Sequence, residues 1–247
     1  KPYWRITRDS SILPSDTANE LVTPVLRLNS VDDSNKLEKV IGIIADNGGR
    51  VNETCGLHVH HSVQGYSPKD LCQMLMHYSF FSPALKKLVT MSRKYSDYAR
   101  PLDLTAWGHV LDPNMFRYNN FLSYVESDYT TRYGYWSREC VVNMSSVYRH
   151  RTVEFREHHS TLQPDVVTHW VRLTKAFMDS SKNSDYNLLD RGHCEDLEYM
   201  LTRLHLSKKD TAFFLNRAER LKNCPEDDNE IHEENYANVG EPYNDDY

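Results

Sequence analysis

Apolar and polar positions along this chain follow two periods, and the switches between them mark its elements. Leu37, Val40, Ile41 and Ile44 recur at helical spacing and share one face at 3.6 residues per turn. Asp32-Asp33-Ser34 opens that helix with acids at its positive end, and Asn47-Gly48-Gly49 closes it with a left-handed stop. A longer stripe of Leu71, Met74, Leu75, Tyr78, Phe81, Leu85 and Leu88 predicts a helix from Pro68 to about Thr90. Pro83 kinks or divides it. Its Met and aromatic residues read as core, not as a cofactor box. Pro164 starts another helix with Val167, Trp170, Val171 and Phe177 inward, and two more follow near Cys194–His205 and Lys208–Lys222.

Period-two stretches predict the strands. Tyr3–Thr7 is a short strand followed by a turn at Arg8–Ser11, in which Asp9 is either a ligand or a turn carboxylate. Glu20–Leu26 is a strand closed or kinked by Pro24, with Glu20 and Val22 on one face. Arg50–Asn52 re-enters the sheet, and Cys140–Met144 forms a further strand. Residues 103–137 are aromatic-rich and give no assignment. Strands early and in the middle, with helices between and after them, predict an α+β fold. Its mostly antiparallel sheet carries helices on one side.

Two of these strands concentrate the chemistry. In Gly56-Leu57-His58-Val59-His60-His61, His58 and His60 point to one face, while Leu57, Val59 and His61 point to the other. In Arg151-Thr152-Val153-Glu154-Phe155-Arg156, Thr152, Glu154 and Arg156 share one face. Set side by side in one sheet, the two make a polar patch of His, His, Glu and Arg on a rigid floor. Ser92–Leu102 is a basic, aromatic loop, read either as solvated surface or as an anion-binding loop.

Composition narrows the classes. The 247 residues are 39% hydrophobic, and no run approaches the roughly 18 apolar residues of a membrane-spanning helix. The five cysteines are scattered without a C-x-x-C pair. A disulfide framework is therefore not expected, and a reducing, cytoplasmic setting is. Cys55 reads as a small core residue. The net charge of −6 conceals an uneven distribution: residues 225–247 carry nine acids and no Lys or Arg, which leaves +3 for residues 1–224. That charge suits anionic ligands but is too weak for a nucleic-acid footprint. Residues 1–224 are expected to form one folded domain, and 225–247 an acidic, disordered tail.

The sequence holds no Walker A motif, no G-x-G-x-x-G and no H-E-x-x-H. An H-x-H pair among twelve histidines is a weak metal signal. Glu154 and Arg156 add weight, because an arginine two residues from a metal carboxylate calls for an anion between them. Carboxylates with one imidazole and an anionic ligand suit magnesium or manganese better than a closed zinc site.

The order Trp4, Asp9-Ser10-Ser11-Ile12, Glu20-Leu21-Val22-Thr23-Pro24-Val25-Leu26, then Gly49-x-Val51-Asn52-x-x-Cys55-Gly56-Leu57-His58-Val59-His60, resembles the amidoligase family. So do Ser92-Arg93, Tyr98-Ala99, Asn143 and Thr152-Val153-Glu154-Phe155-Arg156-x-His158-x-x-Thr161. The family comprises carboxylate–amine ligases of the glutamine synthetase and glutamate–cysteine ligase superfamily, and the resemblance spans roughly residues 3–180. It implies a curved antiparallel sheet, with helices on the convex side, whose concave face binds ATP and Mg2+ or Mn2+. It implies that a substrate carboxylate is phosphorylated and that an amine displaces the phosphate. His58, Glu154 and Glu20 would be metal ligands. His60 and Arg156 would contact the substrate carboxylate or acyl phosphate. Arg151, with Arg93, would hold ATP phosphates, and Arg149 is an alternative. The substrates are an unidentified carboxylate and amine, from an amino acid, a peptide or a protein side chain. Related ligases often form rings or dimers, so a homo-oligomer is expected, with neither nucleic acid nor membrane as partner.

One departure concerns the family's Glu-x-Glu strand, which normally precedes the Trp-containing strand and supplies metal carboxylates. Nothing before Trp4 provides it, and the chain opens without Met. Either that strand lies outside this sequence, which is the first expectation, or another subunit supplies it, or catalysis has been given up. Two other readings therefore stand beside the ligase: a degenerate binding or scaffold protein, and a zinc hydrolase built on His58 and His60. A cluster of like charges at the site also predicts that Glu154→Gln costs little stability.

Overall fold

The computed structural model describes residues 3–14, 18–102, 139–183 and 191–224. Among these, the chain is α+β with small antiparallel sheets. Strand β1 (Arg5–Arg8) pairs with β2 (Asn19–Val22), with Thr7 opposite Glu20 and Arg5 opposite Val22. These four residues share the half-buried face of the hairpin, while Ile6 on the other face is exposed. The strand at Glu20 stops at Val22, before Pro24, because proline has no amide to donate to a ladder.

Helix α1 (Val31–Asp46) starts one turn-position earlier than expected. Ser30 is its N-cap, accepting the Asp33 amide, with Asp32 and Asp33 in the first turn. Gly48, at φ 79°, supplies the left-handed stop. The following segment does not form the strand expected at Arg50–Asn52. Its polar side chains instead make a loop in which the Asn52 amide donates to the Leu13 carbonyl and its oxygen accepts from Thr54.

Strand β3 (Val59–Ser62) leads to α2 (Pro68–Phe80), which is opened by a capping box between Ser67 and Asp70. The helical stripe continues past Phe80, but Pro83 divides it. A single turn, α3 (Ser82–Leu85), and a 3-10 turn at Lys86–Leu88 follow. Another short turn, α4 (Met91–Lys94), then carries the chain into the basic loop. Past residues 103–138, β4 (Val142–Asn143), α5 (Ser145–His150) and β5 (Thr152–Phe155) follow closely. The C-terminal part is helical: α6 (Pro164–Asn183), α7 (Leu197–Arg203) and α8 (Lys208–Asn223).

The second sheet has the order β3-β5-β4, antiparallel throughout. The strands thus form two separate sheets among the described residues, where the pattern led us to expect one mostly antiparallel sheet and the resemblance implied a curved one. In the three-stranded sheet Val59, Phe155 and Val142 align, as do His60, Glu154 and Asn143. A strand's side chains alternate between faces, so this register puts one row in the core and the next row on the opposite face. The core row packs on α2 and α6: the Tyr78 ring lies 5.4 Å from Phe155 and 4.9 Å from Phe177. The whole stripe from Leu71 to Leu88 is buried, as are Trp170, Leu173 and Phe177. The expected C-terminal helices form, with α8 capped by Ser207. All five cysteines are free thiols. Among the described residues, no helix is long and apolar enough to cross a membrane. The acidic segment 225–247 and residues 103–137 lie outside the described residues, apart from the first group's neighbour Cys224 at the end of α8.

Two core histidines make this packing acid-sensitive. His61 is hydrogen-bonded to Thr174 on α6, and His77 to Ser180 on the same helix. Burial lowers both from 6.5 to about 4. As pH falls, the unfolded chain therefore binds these protons before the folded protein does. Their contribution is complete above pH 6.5 and is lost as pH falls from 6.5 towards about 4. On the order of 2 kcal/mol per histidine should be gone by about pH 5. Urea unfolding at pH 7 and pH 5 should show this loss, and His77→Gln should make the slope shallower.

Candidate functional site

The polar row of the three-stranded sheet is the floor of a cluster centred on Glu154. This side chain is buried, and both its oxygens are engaged. Oε2 accepts from the Asn143 amide at 2.6 Å and from the Ser146 hydroxyl at 3.2 Å. Asn143 is itself fixed, since its carbonyl oxygen accepts the amide and hydroxyl of Ser145. Oε1 accepts from Arg156 Nη1 at 2.6 Å. His58 Nδ1 lies 3.5 Å from the same oxygen and His60 Nε2 lies 3.8 Å from it. The opposite nitrogen of His60 is hydrogen-bonded to the Thr152 hydroxyl at 2.9 Å, and the His150 ring stands edge-on to His60 at 6.3 Å. The two stretches, some ninety residues apart, thus meet as the period-two pattern predicts.

The electrostatics follow from this burial. Desolvation, reinforced by the Arg156 charge, lowers His58 to about 3 despite the nearby Glu154 carboxylate. Desolvation also lowers His60, against the pull of Glu154. Both rings are therefore neutral near pH 7, the form that donates a lone pair to a metal. Burial alone would raise Glu154, but Arg156, the two histidines and the Asn143 hydrogen bond outweigh it and hold the carboxyl below its usual range. With His58 uncharged, Arg156 and Asn143 carry most of that effect at neutral pH.

The hairpin brings two more carboxylates within electrostatic reach. Glu20 is raised by its burial and by the charges of Asp9 and Glu154, with Arg156 and Arg5 opposing. Asp9 is lowered chiefly by the Ser11 hydroxyl, against its burial, with His58 and Arg156 adding to the effect. Asp9 is thus both the turn carboxylate and a member of the site's field. A carboxylate raised by two other carboxylates is one whose ionisation a cation would favour.

Arg151 and Arg93 have different places. Arg151 ends α5 in the left-handed region at φ 57°, its amide bonded to the Val147 carbonyl, and turns the chain into β5. That conformation costs a non-glycine residue about 1 kcal/mol; Arg149, His150 and Arg151 are exposed, with the His150 ring beside His60. Arg93 does not stand where the reading as a phosphate ligand puts it. It is 2% exposed, and its guanidinium turns inward onto the Arg156 backbone carbonyl. Gly56 is required for this close approach. A Cβ there would lie 2.6 Å from Arg93 Nη2 and 3.1 Å from His58 Nε2.

The sequence reading did not single out Ser146 and His150 as parts of the site, and it named Asn143 among the residues that carry the family resemblance without giving it a role. A polar run, Asn143-Met144-Ser145-Ser146, just ahead of the Glu154 strand was the available signal. Among the described residues, no group of three or more His, Cys, Asp or Glu side chains closes up as a metal cage. The cation on Glu154 Oε1 is the Arg156 guanidinium. Glu154→Gln is therefore not the near-neutral change that a cluster of like charges implies. It would leave Arg156 without its counter-ion and set an amide against the Asn143 donor. We expect a loss of about 3 kcal/mol, measured by urea unfolding at pH 7.

In comparison with families of known proteins, a family model described as "putative amidoligase enzyme" matches residues 2–178. The match includes the hairpin, β3, β5 and every residue placed in the cluster above. Comparison with curated proteins and with solved structures gives no match.

Proposed function

This chain belongs to the amidoligase family, and from that membership and its ligase-type function we propose an ATP-dependent carboxylate–amine ligase. It would form an amide or isopeptide bond through an acyl phosphate. The observation that supports this reading is the convergence on one carboxylate oxygen, Glu154 Oε1, of His58, His60 and Arg156. Glu20 and Asp9 complete the charge cluster. The substrates are a carboxylate and an amine of an amino acid, peptide or protein side chain.

The donor set fits a hard divalent cation, Mg2+ or Mn2+. Glu154 is held ionised, Glu20 lies in a field that favours a cation, and His58 is neutral. These three would hold the cation, with Arg156 now in its place on Glu154. With ATP bound, the cation would neutralise the phosphates and make the γ-phosphoryl group transferable. The chain's own residues would do the positioning. Arg156, released from Glu154, presents a planar fork to the substrate carboxylate or acyl phosphate, and His60 faces the same group. Arg151, with Arg149 beside it, stands at the exposed edge where a polyphosphate would lie. The Glu154 row anchors all of this on sheet backbone, so the charges that meet the transition state need no reorganisation.

Calorimetry with a non-hydrolysable ATP analogue tests the proposal. Magnesium-dependent binding should be seen, reduced about a hundredfold or more in Glu154→Gln even at temperatures where that variant is folded. Absence of nucleotide binding with either Mg2+ or Mn2+ would count against the ligase reading and favour a binding or scaffold role. Arg156→Lys should retain nucleotide binding but lose turnover, because a point charge cannot replace the bidentate fork.

A further inference from the structure

Arg93 is a large cation kept in the interior, and its contacts all lead to one residue. Its Nε and Nη2 both donate to the Arg156 carbonyl, at 3.2 and 2.5 Å. Its Nη1 reaches the Ser96 hydroxyl at 3.5 Å, and that oxygen accepts the Tyr98 amide at 3.2 Å. The Tyr98 carbonyl in turn accepts Arg156 Nε at 3.4 Å. The Arg156 amide donates to the Val141 carbonyl at 2.8 Å. The contacts close a ring, from Arg93 through Ser96 and Tyr98 to the Arg156 side chain and back to its backbone. We propose that Arg93 is a positioning residue, and that the 93–98 loop is a clamp fixing the direction in which Arg156 presents its guanidinium.

Three observations support this assignment over a purely structural one. Burial and the Arg156 charge lower Arg93 to about 10 even with the buried Glu157 carboxylate opposing them, so a second guanidinium is held within reach of Arg156 at a net electrostatic cost. A neutral side chain would fill the same space without that cost. The fork spends two donors on one carbonyl, that of the residue following β5, and so fixes the backbone from which Arg156 projects. Gly56 is the position that admits Arg93, and the same Cβ would also crowd His58. The clamp and the imidazole are thus fitted against one another. With Nε held by the Tyr98 carbonyl, Arg156 meets a ligand through its Nη atoms, of which Nη1 must first leave Glu154. Misplacement of such a group by an ångström is enough to cost orders of magnitude in a reaction.

This inference rests on the ligase reading for its consequence, but not for its structural test. The variants are Arg93→Lys, which keeps the charge and loses the fork, and Ser96→Ala, a half-buried change that cuts the ring without touching the core. The first readout is the side-chain Nε–H resonance of Arg156 in nitrogen-15 NMR, assigned by its loss in Arg156→Lys. In the wild type it should exchange slowly with water. In Ser96→Ala and Arg93→Lys it should exchange rapidly, with melting temperatures still high enough for folded spectra. The second readout is affinity for inorganic phosphate in the presence of MgADP, which should weaken about tenfold in Arg93→Lys and less in Ser96→Ala.

An Arg156 Nε–H unchanged in Ser96→Ala, or in both variants, overturns the clamp. So does unchanged phosphate affinity in both variants when Arg156→Lys has lost it. If Arg156→Lys itself leaves phosphate binding intact, the ligase reading of the site fails, while the NMR signature still decides the clamp. Should Arg93→Lys fail to fold, Ser96→Ala decides alone.

Discussion

The site depends on one buried carboxylate being kept charged. Removing Glu154 from water disfavours its ionised form, and the neighbouring histidines, themselves desolvated to neutrality, do little to restore it. The Arg156 guanidinium and the Asn143 amide supply the balance from opposite sides, one on each oxygen. This arrangement needs a carboxylate and an amide at the same height on neighbouring strands, with the arginine two residues along from the carboxylate. The β3-β5-β4 register provides that height, because Asn143 and His60 flank Glu154 in one row.

The same register explains why the floor is rigid. The flanking row of Val59, Phe155 and Val142 is apolar and is gripped by Tyr78, Phe177 and the rest of the α2–α6 interface, and the row on the other side pairs Val153 with His61. Slipping either strand by one residue would drive Glu154 into that interface and lift Phe155 into water. Function and stability therefore share one constraint. His61 belongs to it as well: it sits one residue from His60, yet it points to the helices and bonds to Thr174. Two adjacent imidazoles on one strand have different roles because the pleat sends them to different dielectrics.

A site of this kind is poised rather than neutral. Glu154, Glu20 and Asp9 contribute negative charge, and Arg156 is paired with Glu154 and acts on the other two through space. A cluster in which an arginine is paired with one carboxylate in the field of two others is chemically suited to exchange partners. Holding that arginine on a short tether, with its backbone and stem fixed, limits the exchange to the tip of the guanidinium.

Much of this was legible in the sequence, for a physical reason. Period-two alternation assigns side chains to faces regardless of distance along the chain, so the common face of His58, His60, Glu154 and Arg156 could be read directly. Helical stripes and caps gave α1, α2, α6 and α8 for similar reasons, and Pro83 marked the break after α2. Three-dimensional packing decided what no local pattern encodes. Arg50–Asn52 became a loop because its amides found Leu13 and Thr54. The strands of the described residues separated into two sheets. Arg93 turned inward because Gly56 left room for it beside the Arg156 carbonyl. Asn143 and Ser146 joined the site because a short helix and a left-handed residue at Arg151 fold them back onto Glu154. The sequence determines which face a side chain takes, since the backbone period is intrinsic to the chain. Only the tertiary structure decides what that face meets, since the partners come from segments whose separation the period does not record.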